Sequence, residues 1–256
     1  MALLRCDFFS EVLDVGTSMT VLLPQAGEGQ VGVTAPGSGP AGDGFPVLYL
    51  LHGLSDDATG WLRYSSIERY AAELGLAVVM PQVQRSFYAD ELHGERYWTF
   101  LSVELPSLVG SFFGVSGRRE DTFVAGLSMG GYGALKWALR QPDRFAAAAS
   151  LSGALDLAVL KDEPWRRPLF DRVFGGEIGP GDDLFALLAA ADPGRLPALY
   201  IGCGTEDHLY ASSVRFVGDA TAAGVDVHVD FRPGEHEWGL WDAAIRDVLA
   251  WLPLRR

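Results

Sequence analysis

Gly126-Leu127-Ser128-Met129-Gly130 has the form Gly-x-Ser-x-Gly and stands between two different patterns. Before it, Thr122-Phe123-Val124-Ala125 is a short apolar run of the kind that makes a buried strand. After it, Gly131 to Arg140 reads as a helix, with Tyr132, Leu135, Ala138 and Leu139 on one face at three- and four-residue spacing. A serine at so sharp a strand-to-helix turn takes a strained backbone conformation. Glycines two residues before and after it remove side chains that would collide across the turn. Its hydroxyl then stands exposed at the start of a helix, where the dipole favours negative charge. Chance matches to a five-residue pattern are common, but here both flanks fit. Gly130, Gly131 and Gly133 also fall in the first helical turns, each costing roughly 1 kcal/mol relative to Ala. A plain structural helix has no reason to accept that.

The rest of the chain alternates strands with helices. Two β-like runs lie in residues 7–23, and a Gly-, Ala- and Pro-rich stretch from Gln25 to Pro46 reads as a long surface loop. Val47–Leu51, Ala77–Met80, Phe145–Leu151 and Leu199–Gly202 read as strands, and Ser66–Leu74 and Ser212–Ala223 as helices stopped by Gly75 and Gly224. Residues 82–97 look like a polar and aromatic surface loop, followed by a mostly helical stretch from Trp98 to Phe113 that Pro106 interrupts or restarts. Val225 to Arg232 alternates apolar and polar residues, which predicts a half-exposed strand near a sheet edge. Trp241, Ala244, Ile245, Val248, Leu249 and Leu252 predict an amphipathic last helix. The expectation is a single α/β domain over 1–256 with a mostly parallel central sheet and helices on both faces. Residues 156–191 could form a small cap insertion.

With 20 basic against 33 acidic residues the net charge is −13, which argues against nucleic acid and anionic membrane surfaces as partners. Cys6 and Cys203 do not suggest a disulfide framework, and Cys203 reads as a small core residue. With no signal-like N-terminus and no apolar run long enough to span a bilayer, the expected location is cytoplasmic. No cluster with metal-ligand spacing stands out, so neither a metal nor a cofactor is expected. The oligomeric state is not fixed by the sequence, and a homo-oligomer is allowed.

A serine hydroxyl needs a base, and the base needs an orienting group. Of five histidines, His236 lies in a loop between the last strand and the last helix, where the base falls when the chain order is nucleophile, acid, base. His228 lies on the polar face of the edge strand and reads as solvated, as does Asp230. Gly202-Cys203-Gly204-Thr205-Glu206-Asp207 supplies the acid from a loop after a late strand. Asp207 is the choice, with Glu206 the fallback. The backbone N–H groups of Met129 and Leu54 are the candidate oxyanion donors, with Gly53 or Ser55 as alternatives for the second. His52 shapes that loop. Trp98, Leu127 and Trp238 are the candidate substrate contacts and, with Met129, suggest a small acyl pocket.

These stretches, with His236-Glu237-Trp238 through Trp241-Asp242, resemble the esterase D-like family of α/β-hydrolases from about residue 47 to 245. The family includes tributyrin, feruloyl and acetylxylan esterases, S-formylglutathione hydrolases and mycolyltransferases. The tributyrin esterase-type members are most alike, through Arg96-Tyr97-Trp98-Thr99-Phe100 and Glu104-Leu105-Pro106. The resemblance implies hydrolysis of small-molecule, short-chain acyl esters. Ser55-Asp56-Asp57 stands where the glutathione thioester hydrolases carry a cysteine, which weighs against that branch. The alternatives are a thioester hydrolase or carbohydrate acetyl or feruloyl esterase, and a binding protein that has kept the fold without turnover.

Overall fold

A computed structural model of the protein describes residues 1–25 and 44–254. The strands are β1 (Ala2–Ser10), β2 (Val15–Leu23), β3 (Val47–Leu51), β4 (Ala77–Pro81), β5 (Thr122–Leu127), β6 (Ala147–Leu151), β7 (Ala198–Gly204) and β8 (Val227–Arg232). Among the described residues they form one sheet, in the order β1-β2-β4-β3-β5-β6-β7-β8. β1, β2 and β4 pair antiparallel, and every pairing from β4 through β8 is parallel. This is the α/β-hydrolase fold. Most of the stretch from Gln25 to Pro46, expected as a surface loop, lies outside the described residues.

The helices are α1 (Gly60–Tyr64), α2 (Ile67–Leu74), α3 (Tyr97–Thr99), α4 (Leu105–Phe113), α5 (Met129–Arg140), α6 (Leu157–Leu160), α7 (Arg167–Phe174), α8 (Leu184–Ala190), α9 (Tyr210–Ala222) and α10 (Trp238–Trp251). Strand parity sorts the core into two layers. Val47, Tyr49, Leu51 and Val124 pack with α5, while Leu48, Leu50, Phe123 and Ala125 face the opposite way, onto α2 and α10. Strands β3 to β6 are buried along their whole length, which explains their unbroken apolar sequences. β8 closes one edge, as its alternation predicts. Among the described residues no helix is long and apolar enough to cross a membrane.

Three local expectations need correction. Helix α5 is not one-faced. Every residue from Met129 to Leu139 is buried, Lys136 included, because the helix lies between the sheet and an outer layer of chain. Residues 82–97 are only partly the expected surface loop: 92–96 are exposed, but Phe87, Tyr88 and Ala89 are buried in that layer, and a Cβ on Gly133 would stand 2.4 Å from the Tyr88 ring. Of the two readings of Pro106, the new start is the one observed: α4 begins there after a π-helical turn, Phe100–Glu104. Asp230 is not simply solvated. It accepts from Arg232 Nε at 2.9 Å and from the Tyr200 hydroxyl.

Candidate active site

The parallel strands deliver their following loops to one end of the sheet, where ligands bind in open α/β folds. Ser128 lies there between β5 and α5 with φ 54° and ψ −118°, the strained turn expected from its motif. The flanking glycines are required by sterics. A Cβ on Gly126 would lie 2.4 Å from the Gly130 carbonyl, and one on Gly130 would lie 2.3 Å from Leu51 O. The serine backbone is pinned by its N–H donating to Leu151 O at 2.9 Å and its carbonyl accepting from Ala154 N at 3.0 Å.

His236 stands between Ser128 and Asp207, with Nε2 3.1 Å from Ser128 Oγ and Nδ1 2.8 Å from Asp207 Oδ2. Asp207 is an acceptor when ionised, so Nδ1 carries the proton and Nε2 is left to accept from the serine. Burial pushes the Asp207 carboxyl up, but hydrogen bonds from His236, the Leu209 N–H and Ser152 outweigh it and hold it below the usual carboxylate range. Trp241 buttresses the group by donating from Nε1 to Ser152 Oγ at 3.1 Å and lying edge-on to the His236 ring.

The acid and base loops are joined to each other. Glu206 N donates to Gly234 O at 3.1 Å, and Gly234 N returns a 2.5 Å bond to Glu206 Oε2. The fallback acid therefore anchors the backbone of the histidine loop instead of facing the imidazole. Gly204 must be glycine here, since a Cβ would come 2.1 Å from Gly234 O.

Opposite the serine runs the Gly53-Leu54 loop, with Ser128 Cβ 3.6 Å from where a Gly53 Cβ would be. Among the described residues, neither the Leu54 nor the Met129 N–H has a partner in the chain. His52 is a structural residue, as expected. Burial depresses its pKa, its Nδ1–H donates to Gly53 O at 2.7 Å, and its Nε2 accepts from Val83 N at 3.2 Å. Tyr88 Oη donates to His52 O at 2.8 Å.

A cleft of about 990 Å³ opens over Ser128 and is lined by Leu54, Leu127, Trp165, Arg166, His208, Trp238 and Trp241, among others. Leu127 and Trp238 are thus where the sequence suggested. Trp98 is not: it is buried away from the cleft, with the Arg140 guanidinium 4.1 Å and the Lys136 ammonium 5.0 Å from its ring centre. Its neighbours Lys136 and Arg140 lie in the second half of α5, away from the serine at the start of that helix. The Met129 side chain is likewise in the core, leaving only its amide available. Trp165 and Arg166, from the segment 156–191, were not singled out in the sequence, which has no signal for which part of an irregular stretch meets the cleft. The fold also gathers Asp207, His208 and His236, whose candidate ligand atoms lie within 4.8 Å of one another. No ligand cluster of this kind is visible in the linear sequence, because His236 is far from the other two.

The chain is similar to known esterases and serine hydrolases. A sequence model of the family described as "Putative esterase" matches residues 26–252. An acetyl esterase of Caldicellulosiruptor saccharolyticus is 30% identical over 269 aligned positions, covering 98% of this chain and 98% of the relative. Among solved structures, FphF, a fluorophosphonate-binding serine hydrolase of Staphylococcus aureus, matches with a TM-score of 0.88 at 34% identity, covering 98% of each chain. The S-formylglutathione hydrolase FrmB of the same organism matches with a TM-score of 0.84 at 34% identity, again over 98% of each chain.

Proposed function

Since the chain belongs to this esterase family and is a carboxylesterase, we propose that it hydrolyses short-chain acyl esters, acetyl to butyryl, through an acyl-enzyme on Ser128. The observation that carries the proposal is the imidazole of His236 held between Ser128 Oγ and Asp207 Oδ2 at 3.1 and 2.8 Å. Ser128 Oγ attacks the ester carbonyl carbon while Nε2 of His236 takes the hydroxyl proton. The carbonyl oxygen becomes an oxyanion that the Leu54 and Met129 N–H groups bind. As the tetrahedral intermediate collapses, the C–O bond to the alcohol breaks and His236 returns its proton to the leaving oxygen. Water repeats the sequence, releasing the acid and Ser128. Asp207 holds the productive tautomer throughout and stabilises the imidazolium.

The preference for short acyl groups is supported by the bulk of Leu127 and Trp238 beside the serine and by the likeness to an acetyl esterase. The cleft is larger than a butyryl group needs, and its surplus volume, bordered by Trp165, Arg166 and His208, is assigned to the alcohol. Each added methylene that fits should help by about 0.8 kcal/mol at most, and the first that does not should cost roughly 1–3 kcal/mol. The test is kcat/KM for p-nitrophenyl esters of two to twelve carbons, run beside Ser128→Ala. The expected profile peaks at four carbons or fewer, with no turnover by the variant. A peak at eight or more carbons refutes the small pocket, and a folded, active Ser128→Ala refutes the nucleophile.

A second reading, hydrolysis of a thioester, is favoured by the 34% identity to a protein described as an S-formylglutathione hydrolase. The missing cysteine after His52-Gly53 weighed against it, but that likeness spans 98% of this chain and brings the reading back. Comparing a thioester with its oxygen ester on the same acyl group separates the two.

A further inference from the structure

We propose that Asp207, His208 and His236 form an inhibitory site for Zn²⁺ and chemically similar divalent transition metals. The three ligand atoms come within 4.8 Å of one another. Two ligand atoms about 2.0 Å from a tetrahedral zinc stand about 3.3 Å apart. His208 Nδ1 is 3.3 Å from Asp207 Oδ1, already at that spacing, and His236 Nδ1 is 2.8 Å from Asp207 Oδ2. The two imidazoles meet edge to face with their centres 4.8 Å apart, and their nitrogens face different oxygens of Asp207, so the metal would sit between the two rings with the carboxylate turned to offer it one oxygen. Access is through the cleft, which both histidines line and where the His208 side chain is 54% exposed.

Two neutral imidazoles and one carboxylate suit zinc, copper, nickel and cobalt, and are poor ligands for Mg²⁺ or Ca²⁺. The fourth position faces the cleft and takes water. Binding at His236 Nδ1 needs a lone pair on that atom, so its proton moves to Nε2 while the ring stays neutral and no proton is lost overall. Asp207 exchanges the Nδ1–H bond for a metal–oxygen bond. Ser128 then faces an N–H in place of a lone pair, and no base remains to take its proton. The metal thus traps the unproductive tautomer. His208 plays no part in the proposed acyl transfer and is the ligand that makes the site more than the triad itself.

Metal binding stands on the geometry alone, whereas the inhibition rests on the ester-hydrolase reading, so the experiment has two arms. In the first, untagged Ser128→Ala protein competes for Zn²⁺ with a chromophoric chelator. One zinc per chain is expected, with at least tenfold weaker binding when His208→Gln is added and no change when His93→Gln is added. Stoichiometric zinc binding that His208→Gln leaves unchanged, or no zinc binding, overturns the proposal. In the second arm, Zn²⁺ inhibits hydrolysis of a short acyl ester by the otherwise unaltered chain, a chelator restores the rate, and millimolar Mg²⁺ has no effect. The half-inhibiting zinc concentration should rise at least tenfold in His208→Gln. Inhibition that is equal in the two proteins, or that a chelator does not reverse, also overturns it. Circular dichroism confirms that each variant is folded. A chain without esterase activity would sink the function while the first arm still decided the site.

Discussion

Glu206 and Asp207 are adjacent carboxylates with different tasks. Asp207 is buried against His236 and fixes its tautomer, while Glu206 is solvent-facing and ties the acid loop to the histidine loop through Gly234. Asp207→Asn keeps the shape but presents an amide to Nδ1, which favours the tautomer with its proton on Nε2. By analogy with other triads kcat should fall by about 10⁴-fold. Glu206→Gln keeps an oxygen for the Gly234 N–H and should lower kcat by less than about tenfold, in line with loss of charge from one hydrogen bond of about 1 kcal/mol. Steady-state kinetics on both variants test the assignment. A larger effect at Glu206 would mean that the acid has been misidentified.

At the scale of an element, the glycines of the helices fall into two kinds. Gly130 in α5 is pressed against the end of β3, where a Cβ would lie 2.3 Å from Leu51 O and 2.8 Å from His52 O. Those atoms are backbone and cannot rotate away. Gly130→Ala should push α5 off the sheet, cost more than the roughly 1–3 kcal/mol of ordinary overpacking, and displace the Met129 amide from its proposed oxyanion position. Gly218, in the exposed part of α9, has nothing within 4 Å of its would-be Cβ. There Gly218→Ala should stabilise the protein by about 0.5–1 kcal/mol, since only the entropy cost of a helical glycine is at stake. Urea unfolding of the two variants should move in opposite directions. A loss of stability at Gly218 would contradict the open space around it.

Across the whole molecule, Lys136 ties three parts of the chain together. Its ammonium donates to Tyr88 O at 2.8 Å and pairs with Asp182 at 2.5 Å, and Tyr88 in turn holds His52 O beside the Gly53-Leu54 loop. The segment it clamps is strained, with Gln84, Phe87 and Tyr88 at φ 53°, 49° and 51°. Burial pushes the Lys136 pKa down to about 8, against the opposing pull of Asp182. An unfolded lysine titrates near 10.4, so between the two values the unfolded chain binds more protons than the native one. Stability contributed by this group is therefore lowest below pH 8 and rises as the pH climbs from about 8 to about 10.4. Lys136→Met removes that dependence. The unfolding free energy of the unsubstituted protein minus that of the variant should increase between pH 7.5 and pH 9.5. A difference that stays flat, or falls, would show that the pairing with Asp182 dominates the desolvation.

The sequence by itself determined the parts of this protein whose causes are local. A serine flanked by glycines between an apolar run and a helix can adopt only a few backbone conformations, so the turn at Ser128 was legible from the five-residue motif together with its two flanks. The alternation of strands and helices fixed the α/β class, and the order of nucleophile, acid and base along the chain pointed to Asp207 and His236. Burial of α5 on all sides was not legible, because its outer cover comes from residues 82–90 and α8, elements remote in the chain. The displacement of Trp98 from the cleft has the same cause: an aromatic residue is equally at home in a core or a binding wall, and which one it meets depends on what packs over it. The separate tasks of Glu206 and Asp207 follow from the approach of the Gly234 loop. The clustering of His208 with His236 was settled by the ends of β7 and β8 lying side by side. Spacing along a chain encodes what a segment can form, whereas contacts between segments depend on which faces the packed sheet turns toward each other.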